Sequence, residues 1–248
     1  MDAGLFAMGP KAAAASAKPP VWTAPFSVTR RIVLAPGVTL YQGPWSVTLI
    51  KQDDGVLVLE APISPFFTKG ALAKARAEYP SLPIEGVLTT SDSWPHIAGV
   101  REAVADGLPV YALDLNLPIL KRLVAAPHGL RPDDLQKHPR TAHWIVVSGK
   151  RGIGSGSNRG VLYPLRGEST ARQYMVYFPT HKLLYASDTL VLEPGCKLYD
   201  PELMHEVVQA VRRNHLKVDT VYAMHQGPVP WSEVTGLVDA ALRDTSTQ

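Results

Sequence analysis

The sequence has one cysteine, little net charge and no long apolar run, and each shortage excludes a class of protein. With Cys196 as the only cysteine, an intrachain disulfide and a thiolate zinc site are both excluded. The 25 lysines and arginines nearly balance the 22 aspartates and glutamates, which leaves a formal charge of +3. Because the basic residues are scattered, we expect no nucleic-acid partner. No run approaches the length of a transmembrane helix, so we expect no membrane partner.

What is present is an ordinary globular composition. The 248 residues are 46% hydrophobic, which is enough for one sizeable domain, and no linker divides them. Residues 1–24 lack the apolar centre of a signal peptide and are predicted to be a flexible lead-in, with residues 25–248 forming a single domain. The compartment stays open between cytoplasmic and exported with the signal missing from this chain. The oligomeric state stays open as well.

The most informative segment is Thr-Thr-Ser-Asp-Ser-Trp-Pro-His-Ile-Ala-Gly at residues 89–99. Residues 84–88 before it are mostly apolar, which predicts a short buried strand. Residues 100–105 after it have helix-forming composition. The segment therefore runs from the end of a strand to the start of a helix, which is where α/β folds keep their chemistry.

This segment resembles the signature Thr-His-x-His-x-Asp-His-x-Gly-Gly of the metallo-β-lactamase fold superfamily. Three residues fall on signature positions without a gap: Thr90, His96 and Gly99. However, Ser91 and Ser93 take the first two histidine positions, and Pro95 takes the aspartate position. Serine is a poor zinc ligand, because zinc prefers thiolate, imidazole and carboxylate groups. The resemblance therefore implies a metal site that has lost part of its ligand set.

The resemblance continues in chain order over roughly residues 28–240. Residues 38–62 are similar to the opening strands, and residues 183–190 to the strand that supplies the family's bridging aspartate. Residues 221–227 are similar to the strand that supplies its last histidine, and residues 166–170 fall where the family has Gly-His-Thr. The implied fold is a four-layer αββα sandwich, which is an α/β fold. Periodicity alone indicates only a mixed α/β domain.

Carried over residue by residue, the resemblance implies one surviving metal pocket. His96, Asp188 and His225 would hold one divalent metal, zinc or else iron or manganese, with positions left open for water. The other pocket would consist of Glu168 and two serines, and it contains no imidazole. We therefore expect at most one tightly held metal per chain.

The implied function is that of a hydrolase with a partly lost site. One metal would activate a water and polarise an ester, lactone, amide or phosphoester group of a small-molecule substrate. Asp92 or Glu168 would hold the water or shuttle the proton. Trp94 and Trp231 suggest an aromatic-walled pocket, although Trp231 fits helix packing equally well.

Each of these residues also has an ordinary structural interpretation. A histidine at a strand end is commonly hydrogen-bonded or exposed, and Asp188 can cap a turn. Asp92 takes a variable position of the signature. A metal-free superfamily member that acts as a binding or scaffold protein is therefore a second hypothesis. Redox chemistry at a two-histidine, one-carboxylate iron is a third.

The remaining pattern predicts further elements. Helices are expected at residues 69–78, 118–125, 201–214 and 232–243, the last with Ser232 as its N-cap. Residues 126–140 are expected to be irregular. The glycine-rich residues 152–157 lack the Gly-Lys-Ser/Thr ending of a phosphate-binding loop, which favours a hairpin.

Overall fold

A computed structural model of the chain describes residues 23–245; most of the predicted lead-in lies outside the described residues. The strands are β1 Arg30–Ala35, β2 Val38–Gln42, β3 Val47–Lys51, β4 Val56–Leu59, β5 Ile84–Thr89, β6 Val110–Leu113, β7 Trp144–Val147, β8 Arg151–Ile153, β9 Gly160–Pro164, β10 Tyr174–Phe178, β11 Leu183–Tyr185, β12 Leu192–Glu193, β13 Lys197–Leu198, β14 Thr220–Tyr222 and β15 Val229–Pro230. The helices are α1 Pro65–Glu78, α2 Trp94–Ile97, α3 Val100–Ala105, α4 Leu117–Ala125, α5 Asp134–Lys137, α6 Pro201–Arg213 and α7 Trp231–Thr245.

Thirteen of these strands form two large sheets, and β12 pairs with β13 in a separate two-stranded sheet. The first has seven strands in the order β1 to β7, antiparallel from β1 to β4 and parallel from β4 to β7. The second has six strands in the order β15-β14-β11-β10-β9-β8, and only β11 and β14 run parallel in it. Parallel neighbours end at the same edge of a sheet, so the loops that leave them can meet there.

Three apolar layers stack the sheets and helices. Successive side chains of a strand point to opposite faces, so Val58 of β4 packs with α1 and α3, whereas Leu57 packs with the second sheet. Leu184 of β11 faces outward from the second sheet and packs with Val207 of α6 and Val238 of α7. One apolar layer thus lies between the first helices and the first sheet, one between the two sheets, and one between the second sheet and α6 and α7. The predicted αββα sandwich is confirmed.

The helix ends differ from the predicted ones where side chains cap them. Helix α1 begins at Pro65 rather than at residue 69, because the Ser64 hydroxyl accepts a hydrogen bond from the Phe67 N–H at 3.1 Å. Helix α7 begins one residue before Ser232, so the predicted N-cap lies inside the first turn and that prediction is wrong. Asp133 caps the short helix α5, which lies within the segment expected to be irregular.

The lengths of the helices and the form of the glycine-rich segment bear on function. None of the helices in residues 23–245 is long and apolar enough to cross a membrane. The glycine-rich residues 152–157 include the end of β8 and the turn that leads to its antiparallel neighbour β9. The hairpin predicted there is therefore observed.

Candidate metal centre

The segment of residues 89–99 runs from the end of strand β5 through the short helix α2 to the start of helix α3. Gly99, between the two helices, passes very close to the start of α1. A Cβ at Gly99 would lie 2.8 Å from the carbonyl oxygens of Ala61 and Ser64 and would collide with the Thr68 hydroxyl. Only glycine fits this close approach. The loop, and with it His96, is thereby held against the edge of the first sheet.

The second sheet supplies two further side chains at its own edge. Asp188 follows β11 and His225 follows β14, and these strands are parallel neighbours. Ser187 adopts a left-handed backbone conformation with φ of 58°, and its carbonyl accepts a hydrogen bond from the Met224 N–H at 3.0 Å. This bond fixes the two chain segments beside each other just before the functional side chains.

The side chains of His96, Asp188 and His225 converge. His96 Nε2 lies 3.3 Å from His225 Nε2 and 3.2 Å from Asp188 Oδ2. His225 Nε2 lies 3.5 Å from Asp188 Oδ1. When one possible ligand atom is taken from each residue, the three atoms lie within 4.8 Å of one another. Within residues 23–245, no other group of three histidine, cysteine or acidic side chains comes this close together. The structure thus brings together the residues named from the sequence, while their role as ligands stays a prediction.

The separations within this trio fit a shared metal ion. Bonds of about 2.0–2.1 Å to a tetrahedral zinc place two ligand atoms roughly 3.3 Å apart. The two imidazole nitrogens lie 3.3 Å apart, and they lie 3.2 and 3.5 Å from the two different oxygens of Asp188; with one atom taken from each residue, the three lie within 4.8 Å of one another. Two imidazoles and one carboxylate leave a tetrahedral ion with one coordination position free of protein, as in catalytic zinc sites.

The orientation of His225 also suits a ligand. Its Nδ1 lies 2.7 Å from the backbone carbonyl oxygen of Pro44. Because a carbonyl oxygen can only accept, Nδ1 carries the proton, and in the neutral ring the lone pair of Nε2 points toward His96 and Asp188. Metal-binding histidines are commonly held in this way. The Trp45 ring packs edge-on against the imidazole, with 6.4 Å between ring centroids.

Burial sets the charges of the other two groups. His96 is 2% exposed, and burial, together with a smaller effect of nearby His225, lowers its pKa to about 3. A neutral imidazole is the form that binds metals. The Nδ1 atom of His96 has no hydrogen-bond partner among the described residues. Burial raises the pKa of Asp188 to about 6, although His225 opposes the rise.

A buried carboxyl group connects the loops that carry the trio. Glu60, at the end of β4, is 1% exposed and accepts hydrogen bonds from the Thr90 hydroxyl and, at 3.0 Å, from the Tyr185 hydroxyl. The Thr90 hydroxyl also lies 2.8 Å from that of Ser187, which precedes Asp188. Burial raises the pKa of Glu60 to about 7.

Sequence reasoning missed Glu60 and Trp45. The only signal for Glu60 was a charged residue directly after the apolar strand β4, and the signal for Trp45 was its place in a turn after β2. Neither signal by itself predicts proximity to residues more than 100 positions away. The contact of Trp45 with His225 depends on how the two sheets pack.

The structure does not bring the two predicted proton-transfer residues into the trio. Asp92 extends to Arg172, whose Nε lies 3.4 Å from its Oδ2. Glu168 is exposed. The loop that follows it is held by Glu206, whose carboxylate accepts hydrogen bonds of 3.0 and 2.9 Å from two backbone N–H groups. The proposed roles of Asp92 and Glu168 stay predictions.

Ser91, Trp94 and Trp231 make contacts outside the trio. The Ser91 hydroxyl accepts a hydrogen bond from the Ser93 N–H at 3.0 Å and so closes a turn of the loop. Trp231, the first residue of α7, packs against the outer apolar layer. Trp94 is 54% exposed and lines a pocket with residues of α1 and α4.

Comparison with known proteins identifies the fold. No protein-family model and no curated protein matches the sequence. The metallo-β-lactamase from Pontibacter korlensis superposes with a TM-score of 0.66 at 13% identity, over 85% of this chain and 98% of that one. The DIM-1 metallo-β-lactamase does so with a TM-score of 0.65 at 12% identity, over 87% of this chain and 99% of that one. The chain has the metallo-β-lactamase fold.

A third neighbour with the metallo-β-lactamase fold has another activity. The stereoselective inverting sec-alkylsulfatase Pisa1 from Pseudomonas sp. superposes with a TM-score of 0.59 at 15% identity, over 84% of this chain. This chain spans 41% of the length of that protein. The structures that share this fold with the chain therefore include enzymes with different activities. At such identities, the likeness establishes the fold and leaves the substrate open.

Proposed function

We propose that the protein is a hydrolase that works with one divalent metal ion held by His96, Asp188 and His225. This proposal rests on one observation: the two imidazole Nε2 atoms lie 3.3 Å apart, and each lies within 3.5 Å of an oxygen of the Asp188 carboxylate. The metallo-β-lactamase fold supports the same reading. Zinc suits the donor set best, and iron and manganese also accept imidazole and carboxylate.

When bound, the metal supplies Lewis acidity, which lowers the pKa of a water and polarises the substrate. The chain's own residues prepare this site. Pro44 fixes the ring orientation of His225, and burial keeps His96 neutral. The Asp188 carboxylate, set between the two imidazoles, supplies negative charge against the ion. The substrates proposed are small esters, lactones, amides or phosphoesters.

Proton transfer is assigned to Asp92 before Glu168. Asp92 lies on the same loop as His96, whereas Glu168 is exposed on a segment that Glu206 holds. In this conformation Asp92 is paired with Arg172. Reaching a water at the trio therefore requires that ion pair to open, which costs little because both side chains are partly exposed to solvent.

A metal-free binding protein is the second candidate function. It is favoured by the 3.2 Å separation of His96 Nε2 and Asp188 Oδ2, which is also an acceptable hydrogen-bond length. The trio can therefore hold together without an ion. Metal content separates the two candidates.

The first experiment measures metal and activity in protein purified without added metal. We expect about one equivalent of metal per chain. A screen of aryl esters, lactones, β-lactams and phosphoesters should find an activity that a chelator abolishes and zinc or manganese restores. A metal-free protein without turnover would instead support the binding function.

Two matched variants test the site itself. His225→Ala removes one of three proposed ligands, so metal and activity should fall together. Ser91→Ala removes only a turn hydrogen bond and should keep both, at a stability cost of about 1 kcal/mol. Activity that survives the loss of His225 would rule out the proposed site.

A further inference from the structure

A separate pocket lies on the side of helix α2 that faces away from the trio. Positions four apart on a helix share a face, whereas positions two apart do not. Trp94 and Ala98 accordingly line the pocket, while His96 reaches the trio. The cavity has a volume of about 260 Å³. A cavity of about 150 Å³ can hold benzene, so this one accommodates a single-ring molecule.

The walls of this pocket are apolar and carry two signs of a binding site. Phe66 and Trp94 are 39% and 54% exposed, which is costly for large aromatic side chains. Ile63, also in the wall, has a φ of 68°. A β-branched residue in this left-handed conformation is strained, and such strain clusters at ligand sites.

The acidic group at the pocket is already neutralised. Asp133 receives two bonds from Arg101, at 2.5 and 2.9 Å, and both side chains are 2% exposed. His128 Nδ1 lies 3.0 Å from the same carboxylate, and the Gln136 N–H donates to it at 2.8 Å. Since its oxygens are all engaged, Asp133 offers nothing to a cationic ligand.

The basic group at the pocket is not neutralised. The Arg131 guanidinium lies over the Phe66 ring, 5.3 Å from its centroid. No ion pair in residues 23–245 involves Arg131. A guanidinium stacked in this way keeps its N–H groups directed outward for a planar anion.

We infer that this pocket binds a small aromatic carboxylate, with the ring against Trp94 and Phe66 and the carboxylate on Arg131. The apolar walls select the ring, and the single unpaired cation selects the negative charge. This inference does not depend on the proposed metal site.

The test titrates the full-length protein with benzoate by ligand-observed NMR. We expect a dissociation constant of about 1 mM, as suits a ligand of this size. Arg131→Gln should weaken benzoate at least tenfold, and so should Trp94→Ala. Arg122→Gln, which removes an exposed arginine of α4 outside the pocket, should leave the affinity unchanged. Neutral benzamide should bind at least tenfold more weakly than benzoate.

Benzoate could also coordinate a metal at the trio. The titration is therefore repeated with His225→Ala, which should bind benzoate as the wild type does. Four results would overturn the inference: no binding below about 10 mM, equal binding by Arg131→Gln and Arg122→Gln, equal binding of benzamide, or loss of binding in His225→Ala.

Discussion

At the scale of single residues, the ionisation of Glu60 makes the free energy of unfolding depend on pH. Its pKa rises from 4.5 to about 7 on folding because the carboxyl group is buried. Above pH 4.5, the unfolded chain releases the proton while the folded chain keeps it, so stability falls as pH rises through 7. The loss is on the order of 3 kcal/mol. Glu60→Gln should make this fall smaller, as measured by urea unfolding at pH 5 and pH 8, while part of it should remain because burial also raises the pKa of Glu102 to about 7.

The exposed Glu233 provides the control for that measurement. Glu233→Gln should leave the difference between pH 5 and pH 8 as it is in the wild type. If Glu60→Gln shows the same difference in unfolding free energy between pH 5 and pH 8 as the wild type, burial does not raise the pKa of Glu60. The carboxyl group would then be ionised in the folded state.

The number of bound metals is also decided by single residues. We expect at most one tightly held divalent metal per chain, because Ser91 closes a turn and Glu168 is exposed. Elemental analysis after dialysis checks this. Two equivalents would mean that Asp92 and Glu168 move to act as ligands.

At the scale of elements, side-chain caps set where helices begin. Asp200 caps α6 by accepting hydrogen bonds of 3.1 and 3.2 Å from two backbone N–H groups. Asp200→Ala should therefore lower the free energy of unfolding by about 1 kcal/mol. Ser232 lies inside α7, so Ser232→Ala should change it by less than about 0.5 kcal/mol. Chemical denaturation compares the two, and equal losses would contradict the observed start of α7.

The helix starts show the limit of sequence periodicity at this scale. Apolar spacing located α1 from residue 69 onward, because the apolar face repeats there. It missed the first turn, which contains Pro65 and depends on the Ser64 hydroxyl meeting a backbone N–H. Ser232 had the composition of a cap, but the chain enters α7 one residue earlier. Periodicity reports which face is buried, whereas a cap depends on local backbone geometry.

At the scale of the whole molecule, the trio connects the two sheets. His96 lies in α2, which follows β5 of the first sheet, while Asp188 and His225 follow β11 and β14 of the second. A metal bound only by the folded chain stabilises it by about 2.7 kcal/mol at one hundred times its dissociation constant. Zinc should therefore raise the melting temperature of the wild type and of Ser91→Ala by several degrees, as measured by calorimetry. An equal rise in His225→Ala would place the zinc elsewhere.

The sequence by itself determined a mixed α/β domain, and its resemblance to the metallo-β-lactamase superfamily added the αββα architecture and the identity of the three converging residues. The ordered motifs around His96, Asp188 and His225 carried that resemblance, because their order along the chain is a property of the sequence. Only the tertiary structure decided what else reaches the trio. It placed Pro44 and Trp45 against His225, set Glu60 beneath the loops and turned Asp92 to Arg172. Such contacts join distant segments through the packing of two sheets, and no local pattern encodes them.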